Sequence, residues 1–191
     1  MDSYRFLAAS LDTLAQNIPT ECFVRTRALC RTDEEFDLVT QKVPFCYDYV
    51  DDEARLNETA SPPKEAFFNT LTQAHISDKE YERFLQVWQT FGFTTLGAYS
   101  DFYLRLDVCL LSDVFEEFRS FCMKQYKLDC AHYLTLPGFA FDAFLKMTKA
   151  KIKLFDDMVM VFMIMSSIRG GIAQLQWISR ITTSVITTYR S

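Results

Sequence analysis

The chain has 191 residues, of which 49% are hydrophobic and 24% are charged, a composition typical of a globular protein with a buried core. It contains only five glycines, which argues against a chain built of tight β-turns and favours helices. The formal net charge of -5 speaks against a protein whose whole surface binds nucleic acid.

The first third of the chain is predicted to form short helices joined by loops. A stripe of leucines indicates a helix that starts near residue 10 and ends before Pro19. Thr32 and Glu35 form a capping-box pattern, which predicts another short helix. The aromatic segment 42–49 contains a proline and is predicted to be extended, and residues 51–63 are predicted to form a polar loop.

Two longer helices are predicted in the middle of the chain. Ser77 and Glu80 form a second capping box, and the helix that follows is expected to stop at Gly92. Gly97 is expected to separate this helix from a long one that runs from about residue 100 to residue 126. We predict that the chain is mainly α, with few strands.

The last third is predicted to contain two further helices. Pro137 and Gly138 indicate a turn, and helices are expected at about 139–147 and 156–165. A loop at 166–171 contains Arg169, Gly170 and Gly171. Residues 175–191 are rich in Thr and Ser and form a divergent tail whose structure the pattern does not predict.

Charge is distributed unevenly along the chain. Residues 146–191 contain seven Lys or Arg residues and two acidic ones, whereas the preceding part is strongly acidic. A basic end on an acidic body can form a phosphate-binding edge. The alternative interpretation is a solvated, lysine-rich helix end.

Cysteine spacing and hydropathy predict an intracellular protein in the reduced state. None of the six cysteines forms a C-x-x-C pair, and there are only two histidines, so no zinc-site spacing is present. The first residues lack the apolar core of a signal peptide. The longest apolar run, 158–165, has eight residues and is too short to span a membrane.

The candidate catalytic pattern lies in the long central helix. Tyr103 and Asp107 are four residues apart, so their side chains share one helix face. In a metal-dependent nuclease a carboxylate can hold a divalent cation while a phenol orients the attacking water. Any amphipathic helix can contain Y-x-x-x-D, so the pair alone is a weak signal.

Further features occur in a fixed order around this pair. Asp2-Ser3-Tyr4-Arg5-Phe6-Leu7 comes first, and Lys42 precedes the Phe45-Cys46-Tyr47-Asp48-Tyr49 block. After the pair, Thr135-Leu136-Pro137-Gly138 precedes Ile168-Arg169-Gly170-Gly171. This order resembles the family B DNA polymerases that prime synthesis with a protein, especially those of Maverick/Polinton-type transposons and related viral or organellar elements. The resemblance covers about residues 2–174 and is strongest at 43–138 and at the Arg-Gly-Gly.

The resemblance implies roles for six residues. Asp107 would be a metal ligand, and Tyr103 would orient the water in the 3′→5′ exonuclease of the family. Lys42 would lie near the scissile phosphate and stabilise developing charge there; an exposed surface lysine is the alternative. The three residues Arg169, Gly170 and Gly171 resemble a family loop that contacts DNA, where glycine lets the backbone approach phosphate and arginine pairs with it.

The resemblance also implies an organisation and a set of partners. Residues 1–135 would be the C-terminal part of an α/β ribonuclease-H-like exonuclease domain, residues 136–174 the connector to the polymerase palm, and 175–191 the divergent tail. The parent enzyme would catalyse DNA-directed DNA synthesis by nucleotidyl transfer. It would act on DNA and deoxynucleoside triphosphates with Mg²⁺ or Mn²⁺, and a terminal priming protein would be a possible partner.

Other motifs of the family are missing from these 191 residues. The exonuclease carboxylates of a D-x-E motif and an Asn/Tyr/Asp block lie upstream in the family, and the polymerase motifs D-x-x-S-L-Y-P and D-T-D lie downstream. One carboxylate cannot fix two Mg²⁺ ions, so the chain alone is expected to be inactive. The alternatives are a non-catalytic helical module that binds DNA or protein, a decayed transposon remnant, or an acidic helical domain with accidental motif matches.

Overall fold

The computed structural model describes residues 2–153 and 155–168, and these divide between two compact units, residues 1–148 and 149–191. The described residues are mostly helical, which confirms the predicted mainly α character. In this part of the chain the β-structure is one isolated antiparallel bridge between Asn69 and Ala74. The predicted division at 135 and 174 stays a prediction.

Among the described residues, six α-helices lie in the first unit and a seventh lies in the second. They are α1 (Leu11–Gln16), α2 (Val24–Arg27), α3 (Asp33–Val39), α4 (Asp78–Phe91), α5 (Leu96–Tyr126), α6 (Leu136–Thr148) and α7 (Met158–Ser167). Short 3₁₀ turns occupy Ser3–Arg5, Thr20–Cys22, Glu53–Asn57, Lys64–Phe67 and Cys130–His132. None of the described helices is both long enough and apolar enough to cross a membrane.

Local capping explains where α4 begins and ends. The Ser77 hydroxyl accepts a hydrogen bond from the Glu80 amide, and the Glu80 carboxylate accepts one from the Ser77 amide, so the predicted capping box is present. The helix ends at Gly92, whose φ of +66° places it in the left-handed region that favours glycine.

The long helix α5 begins earlier than the sequence pattern predicts. Thr95 caps it by accepting a hydrogen bond from the Ala98 amide at 3.1 Å, so Gly97 lies in the first turn rather than between two helices. A Cβ atom at Gly97 would lie 3.0 Å from the Leu56 carbonyl oxygen. This close backbone approach explains a glycine inside the helix.

The main core lies between α5 and the helices that surround it. The buried stripe of α5 follows a spacing of three to four residues, and its members are Leu96, Tyr99, Tyr103, Leu106, Leu110 and Val114. Phe84 and Trp88 of α4 pack against Tyr99, with ring centroids 5.1 and 5.8 Å away. These contacts fix the face of α5 that carries Tyr103.

A second, smaller core surrounds the C-terminal half of α5. Phe6, Cys122, Cys130 and Phe139 are buried there. Beside it, Arg119 donates two hydrogen bonds to the Asp129 carboxylate, at 2.8 and 2.6 Å, and these hold the pKa of Asp129 at about 2.

The predicted turn at Pro137-Gly138 is wrong, because both residues lie in the first turn of α6. Proline is tolerated at this position, since the first amides of a helix have no intrahelical acceptor. Several large apolar side chains of α5 and α6 are exposed, including Leu104, Val108, Phe141 and Phe144. We expect this exposed apolar surface to make the chain poorly soluble or oligomeric when it is expressed alone.

Candidate functional site

The site is built on one face of α5. Tyr103 and Asp107 are one turn apart, as the sequence predicts; Tyr103 belongs to the buried stripe of the helix, and Asp107 lies beside it. The Tyr103 side chain is buried, whereas the Asp107 side chain is 26% exposed. The phenol therefore has a fixed position, and the carboxylate lies at the boundary between core and solvent.

Lys42 is brought to this face from a distant segment of the chain. Its Nζ atom lies 3.6 Å from Asp107 Oδ2 and 5.8 Å from the centre of the Tyr103 ring. The second distance is within the range of a cation–π contact. The structure thus brings together Lys42, Tyr103 and Asp107, three of the residues that the resemblance implies.

Tyr47 is a member of the cluster that the sequence analysis missed. Its hydroxyl forms a hydrogen bond with the Tyr103 hydroxyl, and either oxygen can be the donor. Phe45 stacks on the Tyr103 ring, with centroids 4.7 Å apart. The alternation of aromatic residues at 45 and 47 was visible in the sequence, but nothing in that pattern identified their partner on α5.

The environment of Tyr103 favours the neutral phenol. Burial raises the pKa of Tyr103, and the hydrogen bond with Tyr47 and the nearby Asp107 carboxylate raise it further. Tyr103 therefore keeps its proton at physiological pH and can donate a hydrogen bond or orient a water molecule.

The segment that carries Lys42 has no regular secondary structure and is held by side chains of three helices. Asp12 of α1 accepts a hydrogen bond from the Lys42 amide at 3.3 Å. Tyr99 of α5 donates to the Pro44 carbonyl. Arg83 of α4 donates to the Leu38 and Gln41 carbonyl oxygens. Asp12 and Arg83 were not predicted, because the contacts span 30 to 45 residues.

An open cavity of about 860 Å³ borders the cluster. Lys42, Tyr47 and Tyr103 line one part of it, and Phe68 and His75 line another. This volume is in the range of small-ligand sites. The cavity combines aromatic rings with amide and charged groups, a lining that suits a planar polar ligand better than a purely apolar one.

The described residues do not provide a two-metal site. Asp107 Oδ1 is buried without a hydrogen-bond partner, which is an arrangement a cation can satisfy. However, residues 2–153 and 155–168 contain no group of three His, Cys, Asp or Glu side chains placed to hold a metal ion. A single carboxylate, already 3.6 Å from an ammonium group, does not fit the Mg²⁺ or Mn²⁺ pair of the expected enzyme.

The predicted DNA-binding residues fall on a part of the chain that the structure does not describe. Arg169, Gly170 and Gly171 lie outside the described residues, as does the tail 175–191. Their roles stay predictions from the sequence.

The chain matches no protein-family model, no curated protein and no solved structure. Any proposal for the function of the chain therefore depends on the motif order and on the side chains that meet around Tyr103.

Proposed function

We propose that the chain is an internal segment of a DNA-directed DNA polymerase that replicates DNA from a protein primer. In this proposal it contributes one side of the associated 3′→5′ exonuclease site, made by Tyr103, Asp107 and Lys42. The connector 136–174 leads toward the polymerase palm, and Arg169, Gly170 and Gly171 contact DNA. The sheet of the ribonuclease-H-like domain and the remaining catalytic motifs belong to other parts of the parent protein.

One observation carries the proposal: Lys42 and Asp107 are 65 positions apart in sequence, yet Lys42 Nζ lies 3.6 Å from Asp107 Oδ2. The resemblance, which rests on the sequence alone, implies that both residues belong to one site. An accidental Y-x-x-x-D on a helix gives no reason for this lysine to be next to the carboxylate. The convergence therefore supports a common role.

Each side chain has a task that its surroundings suit. The neutral Tyr103 phenol, fixed by Tyr47, can orient a water molecule. The Lys42 ammonium group can stabilise negative charge on a phosphate oxygen. Asp107 has one oxygen without a hydrogen-bond partner. Because the described residues do not fit a metal pair, we assign nuclease chemistry only to the longer parent protein.

Sequencing of the transcript and of the DNA on both sides of this reading frame tests the proposal. We expect a D-x-E motif upstream and the D-x-x-S-L-Y-P and D-T-D motifs downstream in one open frame. Stop codons or unrelated sequence on both sides would overturn the enzyme assignment.

DNA binding by the chain itself provides a second test. Fluorescence anisotropy with a labelled single-stranded oligonucleotide should show weak, salt-sensitive binding, although the chain is acidic overall. In Lys42→Met, the slope of log K against log salt concentration should become shallower by about 0.7, as expected for the loss of one phosphate contact on a single strand. Lys124→Met, which removes an exposed lysine from α5, is the matched control and should leave the slope unchanged.

A second candidate function is a non-catalytic helical module that binds DNA or protein. The observation that favours it is the single carboxylate of the site, which is already next to Lys42. This function predicts that Tyr103→Phe and Asp107→Ala change only stability. If the reading frame continues on both sides, an exonuclease assay on the longer protein distinguishes the two candidate functions. The polymerase proposal predicts that both variants lose 3′-end cleavage.

A further inference from the structure

Arg83 stands out among the residues that no motif identified. It lies on α4, it is only partly exposed, and all three of its guanidinium nitrogens donate hydrogen bonds. Nε and Nη2 donate to the Leu38 carbonyl at 3.3 and 3.0 Å, Nη2 also donates to the Gln41 carbonyl at 2.8 Å, and Nη1 donates to the Gln41 side-chain oxygen at 2.9 Å. Every acceptor precedes Lys42 by one to four residues.

These acceptors lie where the backbone most needs external partners. Leu38 is in the last turn of α3, where carbonyl groups have no intrahelical donor, and residues 40–46 form neither helix nor strand. Backbone polar groups in such a segment must be satisfied by side chains or water. Arg83 supplies such donors at the point where the chain leaves α3.

Two other contacts complete the support of the segment. Asp12 accepts from the Lys42 amide, and Gln16 donates to the other Asp12 oxygen at 2.7 Å. Tyr99 holds Pro44 from the α5 side. With Arg83 on one side of Lys42 and Tyr99 on the other, the Lys42 side chain is directed toward Asp107, with its Nζ 3.6 Å from Oδ2.

We propose that Arg83 is a positioning residue for Lys42: it does not bind the ligand but holds the segment 38–42 so that the lysine reaches Asp107 and Tyr103. The consequence of this placement for DNA binding rests on the proposed function, whereas the placement itself is measurable without any ligand. The donors of Arg83 are already engaged with protein oxygens, which separates its role from that of a phosphate-binding arginine.

Amide hydrogen exchange of the full chain tests the placement. In Arg83→Met and in Arg83→Lys we expect the amides of residues 40–43 to exchange about tenfold faster or more, since hydrogen bonds from a charged donor are lost. Arg83→Lys should not restore slow exchange, because one ammonium group cannot reproduce the planar set of donors of a guanidinium group. The amides of α5 should be unaffected.

Lys79→Met is the matched control for this experiment. Lys79 is exposed and lies one turn before Arg83 on α4. Its substitution removes the same charge, so it should leave the amide exchange of residues 40–43 unchanged. Unchanged protection of residues 40–43 in Arg83→Met would overturn the proposal, as would equal acceleration in the Lys79 variant.

Single-stranded DNA binding distinguishes positioning from direct contact. If Arg83 acts through Lys42, then Arg83→Met, Lys42→Met and the double variant should all lower the salt slope by about 0.7. A direct phosphate contact by Arg83 predicts instead a reduction of about 1.4 in the double variant. If the unaltered chain binds no DNA, the DNA-binding part of the proposed function fails, while hydrogen exchange still decides the role of Arg83.

Discussion

Two aspartates of α5, six residues apart, have opposite environments. Asp113 is 1% exposed, and its two oxygens accept hydrogen bonds from the Arg25 amide at 3.0 and 3.1 Å and from the Thr26 amide at 2.8 Å. Asp107 lies on the same helix but has one buried oxygen without a hydrogen-bond partner. Its other oxygen is 3.6 Å from the Lys42 ammonium group, beyond ordinary hydrogen-bond distance.

The difference separates a carboxylate that holds the fold together from one that does not. Asp113 acts as a cap supplied by another helix: it satisfies the first amides of α2, which have no intrahelical acceptor. Asp107 satisfies no backbone group among the described residues and leaves part of its own hydrogen-bonding capacity unused. Incomplete satisfaction of this kind is expected at functional positions.

The largest effect is expected from Asp113→Ala. The substitution removes the acceptor of two α2 amides and of the Arg25 guanidinium, which donates at 3.3 Å. Because the Thr26 amide is buried and the Arg25 amide is partly buried, leaving them unsatisfied should lower the free energy of unfolding by about 3 kcal/mol. Urea unfolding monitored by circular dichroism measures this change.

Asp101→Ala is the control for this prediction. Asp101 is exposed on the same helix, so its removal should change the free energy of unfolding by no more than about 0.5 kcal/mol. Equal effects of the two substitutions would mean that Asp113 does not cap α2.

A smaller effect is expected from Tyr103→Phe, which removes the partner of the Tyr47 hydroxyl but keeps the ring that stacks on Phe45. At neutral pH the unfolding free energy should fall by about 1 kcal/mol, the usual contribution of one hydrogen bond. Tyr47→Phe should have a similar effect, and the double variant should cost little more than either single one.

The difference in unfolding free energy between the original chain and Tyr103→Phe should also change with pH in the alkaline range. Folding raises the pKa of Tyr103 above its usual value of 10, so above pH 10 the folded chain keeps a proton that the unfolded chain releases. The contribution of the neutral phenol is therefore complete below pH 10 and declines as pH rises further. The stability difference between the original chain and Tyr103→Phe should shrink above pH 10, and a difference that grows there would contradict the assigned environment.

The sequence predicted the features that depend on neighbouring residues. The capping box at Ser77 and Glu80, the stop at Gly92 and the helix that carries Tyr103 and Asp107 all follow from local spacing. Local spacing was misleading at Pro137 and Gly138, because a proline in the first turn of a helix looks the same as a proline in a turn. The position of Lys42 was expected only from the resemblance to polymerases.

The residues that the sequence did not reveal act over long distances in the chain. Asp113 contacts residues 87 and 88 positions away, Arg83 contacts residues 42 and 45 positions away, and Tyr47 contacts a residue 56 positions away. An isolated Asp on a helix or an Arg on an amphipathic face has no local signature of such a partner. These contacts are decided by how the helices pack, which periodicity does not specify.

The smallest effect is expected from Asp107→Asn, and it tests the comparison most directly. The Lys42 and Asp107 side chains are 37% and 26% exposed, so their attraction is weakened by solvent. One oxygen of Asp107 is buried without a hydrogen-bond partner, so the substitution breaks no hydrogen bond there, and an amide keeps the shape of the carboxylate. The free energy of unfolding should therefore change by less than about 0.5 kcal/mol, in contrast to the large loss at Asp113. A loss of about 2 kcal/mol or more would place Asp107 with Asp113 among the structural carboxylates and remove the energetic argument for a functional one.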